Sequence, residues 1–158
     1  MKRIELTKNK FCLVDDLDFE YLNKWNWCID SHGYAIRGVR NRKEGWQKSI
    51  YLHNALMSPG AEREVDHKDG NPLNNQRNNL RICTRSENNM NRTLQSNNTS
   101  GFKGVSWNKQ NKKWMAYIKK RNKWFYLGCF ENKEWAAKVR DEKAKKLHGD
   151  FSRLNFPP

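Results

Sequence analysis

Short apolar runs separated by turn signals fill the first third of the chain. They are Phe11-Cys12-Leu13-Val14, Trp25 to Ile29, Tyr34-Ala35-Ile36 and Ser49-Ile50-Tyr51-Leu52, broken by Asp15-Asp16 and Ser31-His32-Gly33. Runs this short, punctuated this way, predict strands and hairpins. Residues 16–23 predict a short helix with Leu17, Tyr21 and Leu22 on one side. Residues 59–92 are compact and polar. Residues 91–100 are Asn- and Ser-rich with one apolar residue, which is linker composition.

Beyond the linker the periodicity changes. Gly104 to Trp107, Trp114 to Lys120 and Trp124 to Phe130 predict three strands. In the second, Trp114, Ala116 and Ile118 alternate with Met115, Tyr117 and Lys119, so one face packs and the other meets a partner. A helix is then predicted with Asn132 as N-cap, Glu134 in its first turn and Gly149 just past its end. Its Ala136, Ala137, Val139, Ala144 and Leu147 make a stripe of mostly small residues that lets the helix lie close to a sheet. The predicted class is α+β.

Composition limits what such elements can build. With 158 residues and 36% hydrophobic residues, the chain can form thin layers but no large core. Aromatic residues at 12% argue against disorder. The four cysteines, Cys12, Cys28, Cys83 and Cys129, form no C-x-x-C pair and sit in apolar company. They read as buried thiols in a reducing cytoplasm, with no structural zinc. No stretch has the apolar length of a membrane span or a signal peptide.

Charge points to the partner. The net charge is +14, and residues 99–158 hold fifteen Lys and Arg against five acidic residues, a net of +10. From Lys109 to Lys123 there are seven basic residues and no acid, interleaved with Trp107, Trp114, Tyr117, Trp124 and Tyr126. A merely soluble surface mixes its signs more evenly. Lys and Arg against phosphates release condensed counterions, so a nucleic acid is the expected partner.

The chemistry is expected between Val65 and Asn88. Asp69-Gly70-Asn71-Pro72 is turn chemistry, which places Asp66 and His67 at the end of one strand. Leu80 to Cys83 is the returning strand. Thr84-Arg85-Ser86-Glu87 is a capping-box pattern that starts a helix carrying Asn88. Two strands and a helix would thus bring Asp66, His67, Asn79 and Asn88 within reach of one another. Phosphodiester cleavage needs a nucleophile, a charge clamp and help for the departing oxygen. A carboxylate and an amide oxygen are hard ligands for magnesium or manganese. A neutral histidine, with an ordinary pKa of about 6.5, is a suitable base for water.

The segments Asp66-His67-Lys68-Asp69-Gly70-Asn71, Leu73-Asn74-Asn75, Asn79-Leu80-Arg81 and Ser86-Glu87-Asn88 resemble the HNH endonucleases, in particular the phage homing-nuclease branch with Asn in the last position. The opening Glu5-Leu6-Thr7-Lys8, Val14-Asp15-Asp16, Trp25 and Trp27 are similar to the front ends of such proteins. The resemblance implies a ββα-metal core. Asp66 and Asn88 would hold one divalent ion, His67 would be the general base, and Asn79 would pin the loop and orient His67. Asn89 stands beside Asn88 as the alternative ligand. Many members carry His at that position, and an amide oxygen in its place favours magnesium over softer ions. His53 reads as structural or phosphate-facing. His32 and His148 receive no role.

The last third resembles the APETALA-two / ethylene-response-factor DNA-binding domain. The matching segments are Gly101 to Trp107, Lys113 to Ile118, Tyr126 to Phe130, Glu134 to Ala137, Lys146 to Gly149 and Leu154 to Pro157. The resemblance implies a three-stranded sheet in the major groove, backed by a helix. Lys103, Ser106, Tyr117, Lys119, Trp124 and Tyr126 would then face DNA. Lys109, Lys113, Arg121 and Lys123 complete the basic stripe. Family members often carry Arg at several DNA-facing positions. Lys, Ser and Trp in their place imply weaker base readout with phosphate contact retained.

The expectation is a two-module, phage- or prophage-type DNA endonuclease in a bacterial host's cytoplasm. Residues 1–92 would be the nuclease (1–58 a β-rich front, 59–92 the ββα core), 93–100 a linker and 101–157 the DNA-binding domain. Double-stranded DNA is the expected partner, without a membrane or a small-molecule substrate, and a monomer suffices. The rivals are a DNA-binding regulator with a decayed nuclease centre and a binder of structured RNA.

Overall fold

The computed structural model describes residues 1–121 and 123–157, with the backbone alone of Trp46. Its helices and small antiparallel sheets make the chain α+β. The chain divides into two compact units, Met1–Arg85 and Ser86–Pro158.

The first unit opens with a hairpin of β1 (Lys2–Leu6) and β2 (Lys10–Val14). Its turn places Lys8 and Asn9 at positive φ, of 61° and 53°. Ile4, Leu6, Cys12 and Val14 line its inner face, and all are buried. Helix α1 (Asp16–Leu22) follows. Here the expected apolar face is corrected. Leu17 and Tyr21 are exposed, while Asp18 and Leu22 point inward. Asp18 can turn inward because Arg77 meets its carboxylate with two hydrogen bonds, from Nε at 2.8 Å and from a terminal nitrogen at 2.7 Å. Asp15 is the N-cap of α1 but makes no side-chain cap bond. Its carboxylate instead accepts from the Arg77 backbone at 2.8 Å and from Gln76 Nε2 at 3.2 Å.

A three-stranded meander comes next: β3 (Cys28–Ile29), β4 (Ala35–Asn41) and β5 (Trp46–Tyr51). The pattern of residues 49–52 suggested a strand alone. Leu52 instead begins helix α2 (Leu52–Met57), which buries Leu52, His53 and Leu56. A second hairpin, β6 (Glu64–His67) and β7 (Leu80–Cys83), completes the unit. One apolar cluster joins these elements, with Ile4, Val14, Leu22, Trp27, Leu52, Val65 and Leu80 among its members. The loop between β6 and β7 is stitched to the opening hairpin. Leu13 donates its N–H to Leu73 O and accepts from Asn75 N–H, both at 2.8 Å.

The second unit begins with helix α3 (Arg85–Asn91), which straddles the division of the chain. Strands β8 (Val105–Asn108), β9 (Lys113–Lys120) and β10 (Lys123–Phe130) form an antiparallel sheet with β9 central. Helix α4 (Lys133–His148) packs on it. The predicted caps are both present. Asn132 accepts from Trp135 N–H at 2.7 Å, and Gly149 closes the helix at a φ of 54°. Val105, Ala116, Ala136 and Ala137 form the small core, where the alanines let helix and sheet close up.

The closing segment docks through α4. Asp141 is buried and accepts from the backbones of Asn155 at 2.6 Å and Phe156 at 2.9 Å. Asn155 in turn brackets Lys103, accepting its N–H at 2.7 Å and donating to its carbonyl at 3.1 Å. Arg140 is 2% exposed and donates to Asp141 and to the Arg153 carbonyl. All four cysteines are free, but Cys28 and Cys129 are only half-buried, against the expectation of four buried thiols. Burial pushes the Cys12 thiol up to about 12, against a smaller lowering by its backbone hydrogen bond. Among the described residues no helix is long and apolar enough to cross a membrane.

Candidate functional site

The β6–β7 hairpin sets Asp66 opposite Arg81 and His67 opposite Leu80. Asp66 is 5% exposed, and Arg81 Nε and one terminal nitrogen both donate to its Oδ2, at 2.8 and 2.6 Å. A carboxylate this deep needs such a partner, because an unpaired buried charge is costly.

Residues 68–79 form the connecting loop, and their side chains hold its shape. Gly70, at a φ of 76°, makes the turn. Asp69 accepts from Asn71 N–H at 2.8 Å, Asn74 Nδ2 at 2.8 Å and Asn79 Nδ2 at 3.0 Å. Partial burial pushes the Asp69 carboxyl upward. The three hydrogen bonds and the nearby His67 together outweigh that and hold it below its ordinary value. Asn79 also donates to the Asn74 carbonyl at 2.8 Å and accepts from Asp69 N–H at 3.1 Å. Its backbone carbonyl takes the Lys68 N–H at 2.9 Å. Asn79 therefore ties both ends of the loop together.

His67 stands on this platform, 5% exposed. Its Nε2 lies 3.2 Å from Asn75 Oδ1, a hydrogen bond to Asn75. Its ring packs edge-on against His53, with centroids 5.2 Å apart, and tilts against Tyr34 at 5.9 Å. His53 in turn stacks on Tyr51 at 5.3 Å. Burial lowers the His67 pKa, while the Asn75 hydrogen bond and the Asp69 and Asp66 carboxylates pull it back up less strongly. Burial, aided by the neighbouring His67, takes His53 down to about 3 against the opposing pull of Asp30.

The contacts of three participants, Asn75, Arg81 and His53, were not assigned from the sequence, although His53 was read there as structural or phosphate-facing and is buried against His67. Asn75 is part of a motif-like Asn pair, but nothing in spacing marks which amide reaches the imidazole. Arg81 becomes Asp66's partner only once the register of the hairpin is known. His53 lies on an unpredicted helix. Asn88 and Asn89 both lie on α3, the first half-buried and the second exposed. Among the described residues no three His, Cys, Asp or Glu side chains gather as a metal-holding group.

In the second unit, strand register builds a face. Ser106 pairs with Met115, Tyr117 with Tyr126, and Lys119 with Trp124. Directly opposed residues share a side of a sheet, so Ser106, Tyr117, Lys119, Trp124 and Tyr126 all lie opposite the face that Ala116 and Ile118 bury. Trp124 and Tyr126 are each 64% exposed. Trp124 tilts against Tyr117 at 5.2 Å, with Lys119 Nζ 5.4 Å from its ring centre. Lys109, Arg121 and Lys123 are exposed at strand ends, and Lys113 pairs with Glu131 at 3.5 Å. Lys103 differs from the rest: its ammonium donates to the carbonyls of Met90 and Arg92, each at 2.6 Å. A cavity of about 680 Å³ opens here, lined by Arg92, Lys103, Lys119, Lys120, Arg121 and Arg140 among others, and by no acidic residue.

Residues 58–90 match the model of a family described as HNH endonuclease. The chain is 37% identical over 93 residues to Protein 3.8 of Escherichia phage T7, covering 57% of this chain and 74% of that protein. It is 26% identical over 148 residues to Uncharacterized HNH endonuclease L560 of Acanthamoeba polyphaga mimivirus, covering 94% of this chain and 76% of that one.

Proposed function

We propose that this chain, whose residues 58–90 match the HNH endonuclease family, hydrolyses DNA phosphodiester bonds near a site gripped by its C-terminal sheet. The observation that carries this reading is His67: a buried imidazole next to Asp66 at the end of β6, where the following loop is braced by Asn79. In this reading residues 1–92 are the nuclease, 93–100 a linker and 101–157 an APETALA-type DNA-binding domain. The enzyme is of homing type, phage- or prophage-derived, and acts in a host cell's cytoplasm as a monomer. The phage relative and the one-sided, basic and aromatic face of the second unit support it.

HNH nucleases generally use a divalent metal, and the donors here fit a hard one. Asp66 and Asn88 offer oxygen only. Magnesium, or manganese, keeps several waters and is held by one or two protein oxygens together with substrate phosphate. When bound, such an ion neutralises charge on the phosphate and supports the departing oxygen. His67 takes a proton from water, and that oxygen forms the new bond to phosphorus. The bond from phosphorus to the 3′ oxygen breaks, and that oxygen is protonated, leaving 5′-phosphate and 3′-hydroxyl ends. Asn79 fixes the strand end that carries His67. Ser106, Tyr117, Lys119, Trp124 and Tyr126 meet DNA, with Lys109, Lys113, Arg121 and Lys123 adding phosphate contacts.

The test is to incubate the protein and a His67→Ala variant with phage genomic DNA, in magnesium, in manganese and in chelator. Metal-dependent cleavage by the wild type, reduced roughly 10²- to 10⁴-fold in the variant, is expected. Tight duplex binding without cleavage in either metal would turn the reading to a DNA-binding regulator.

A further inference from the structure

We propose that Asn75 is a positioning residue that sets the tautomer of His67, holding the ring proton on Nε2 and leaving Nδ1 as the basic nitrogen. The inference rests on the nuclease reading above only for what Nδ1 then does.

The orientation of the Asn75 amide decides the matter. Asn75 is 0% exposed, so no water competes for its side chain. Its Nδ2 lies 3.3 Å from the Pro72 carbonyl. A carbonyl only accepts, so the amide nitrogen must face Pro72 and the amide oxygen must face the other way. That oxygen is 3.2 Å from His67 Nε2. An amide oxygen also only accepts, so Nε2 carries the hydrogen. A neutral imidazole has one N–H and one bare nitrogen, which makes Nδ1 the one with the lone pair. Flipping the Asn75 amide would oppose its oxygen to the Pro72 oxygen.

The neighbours keep this arrangement in place. The Asn75 backbone N–H is bonded to Leu13 O at 2.8 Å, so the amide hangs from the opening hairpin. His53 and Tyr34 pack against the His67 ring, which restrains it from turning over.

Nitrogen-15 NMR of the histidine rings in the full-length protein, at about pH 8 where imidazoles are neutral, reads the tautomer directly. His67 is expected with Nε2 protonated and Nδ1 bare. Asn75→Leu removes the acceptor; the ring should become a mixture, and kcat for DNA cleavage should fall roughly 10²-fold with KM little changed. A wild-type ring protonated at Nδ1 would overturn the proposal, whatever the variant does. So would a folded Asn75→Leu protein that keeps both the tautomer and its kcat. Since the ring spectrum needs no substrate, a wild type that fails to cut DNA but shows the expected tautomer counts against the nuclease reading and leaves the role of Asn75 supported.

Discussion

His53 is held far below the ordinary histidine pKa, at about 3, mainly by burial. The unfolded chain takes up a proton near 6.5 that the folded chain refuses. Stability is therefore full above pH 6.5 and falls as pH drops toward 3, by up to about 1.4 kcal/mol per pH unit for each such imidazole. Urea unfolding between pH 4.5 and about 7.5 should show this slope, and a His53→Phe variant should flatten part of it. Asp66 and Arg81 make a second prediction at this scale. Arg81→Met leaves a carboxylate that is 5% exposed without its guanidinium, and should cost about 3 kcal/mol by denaturant unfolding. The Asp66-His67 pair and Asn79 were legible because local turn chemistry and the family pattern mark them. The contacts of Asn75, Arg81 and His53 were not, because their partners are set by register and packing between segments that no local signal relates.

Elements were read most clearly where the chain supplies its own punctuation. The caps Asn132 and Gly149 delimit α4, and alternation along β9 divides its faces correctly. Where punctuation is absent the reading failed: α2 follows β5 without a break, and α1 turns a charged residue inward. Apolar counting expects Leu17 to be buried and Asp18 exposed, but Arg77 reverses them. Gly104 shows a constraint that belongs to the joint between strand and helix. At a φ of 72°, an added Cβ would lie 2.5 Å from the Tyr117 carbonyl and 2.9 Å from Arg140 Cγ. Gly101, at a φ of 79°, would meet nothing within 4 Å. Gly101→Ala should therefore cost only the backbone term of about 1 kcal/mol. Gly104→Ala should cost about 3 kcal/mol. Thermal unfolding of the two variants separates strain from clash.

At the scale of the whole molecule, charge and chain connectivity dominate. Duplex affinity should fall steeply with salt. Lys119→Ala is expected to lower the slope of log K against log salt by about 0.9. Trp124→Ala should weaken binding with the slope unchanged, since a ring releases no counterion; filter binding across a salt series distinguishes the two. The α+β class and the place of the HNH segment followed from the sequence, because periodicity and turn residues are local. The stitch from Leu13 to Leu73 and Asn75 did not, since it joins segments some sixty residues apart.

That stitch makes the first fourteen residues a splint for a loop they precede by more than two-thirds of the length of the unit. During synthesis the hairpin of β1 and β2 emerges long before the segment it braces, and must wait with one edge unsatisfied until residues 73–75 arrive. A chain lacking the hairpin would keep every residue of the Asp66–Asn79 motif and still lose the shape that motif depends on. Fragments cut to the boundaries of the matched family segment should therefore be inert, for want of a scaffold and not of chemistry.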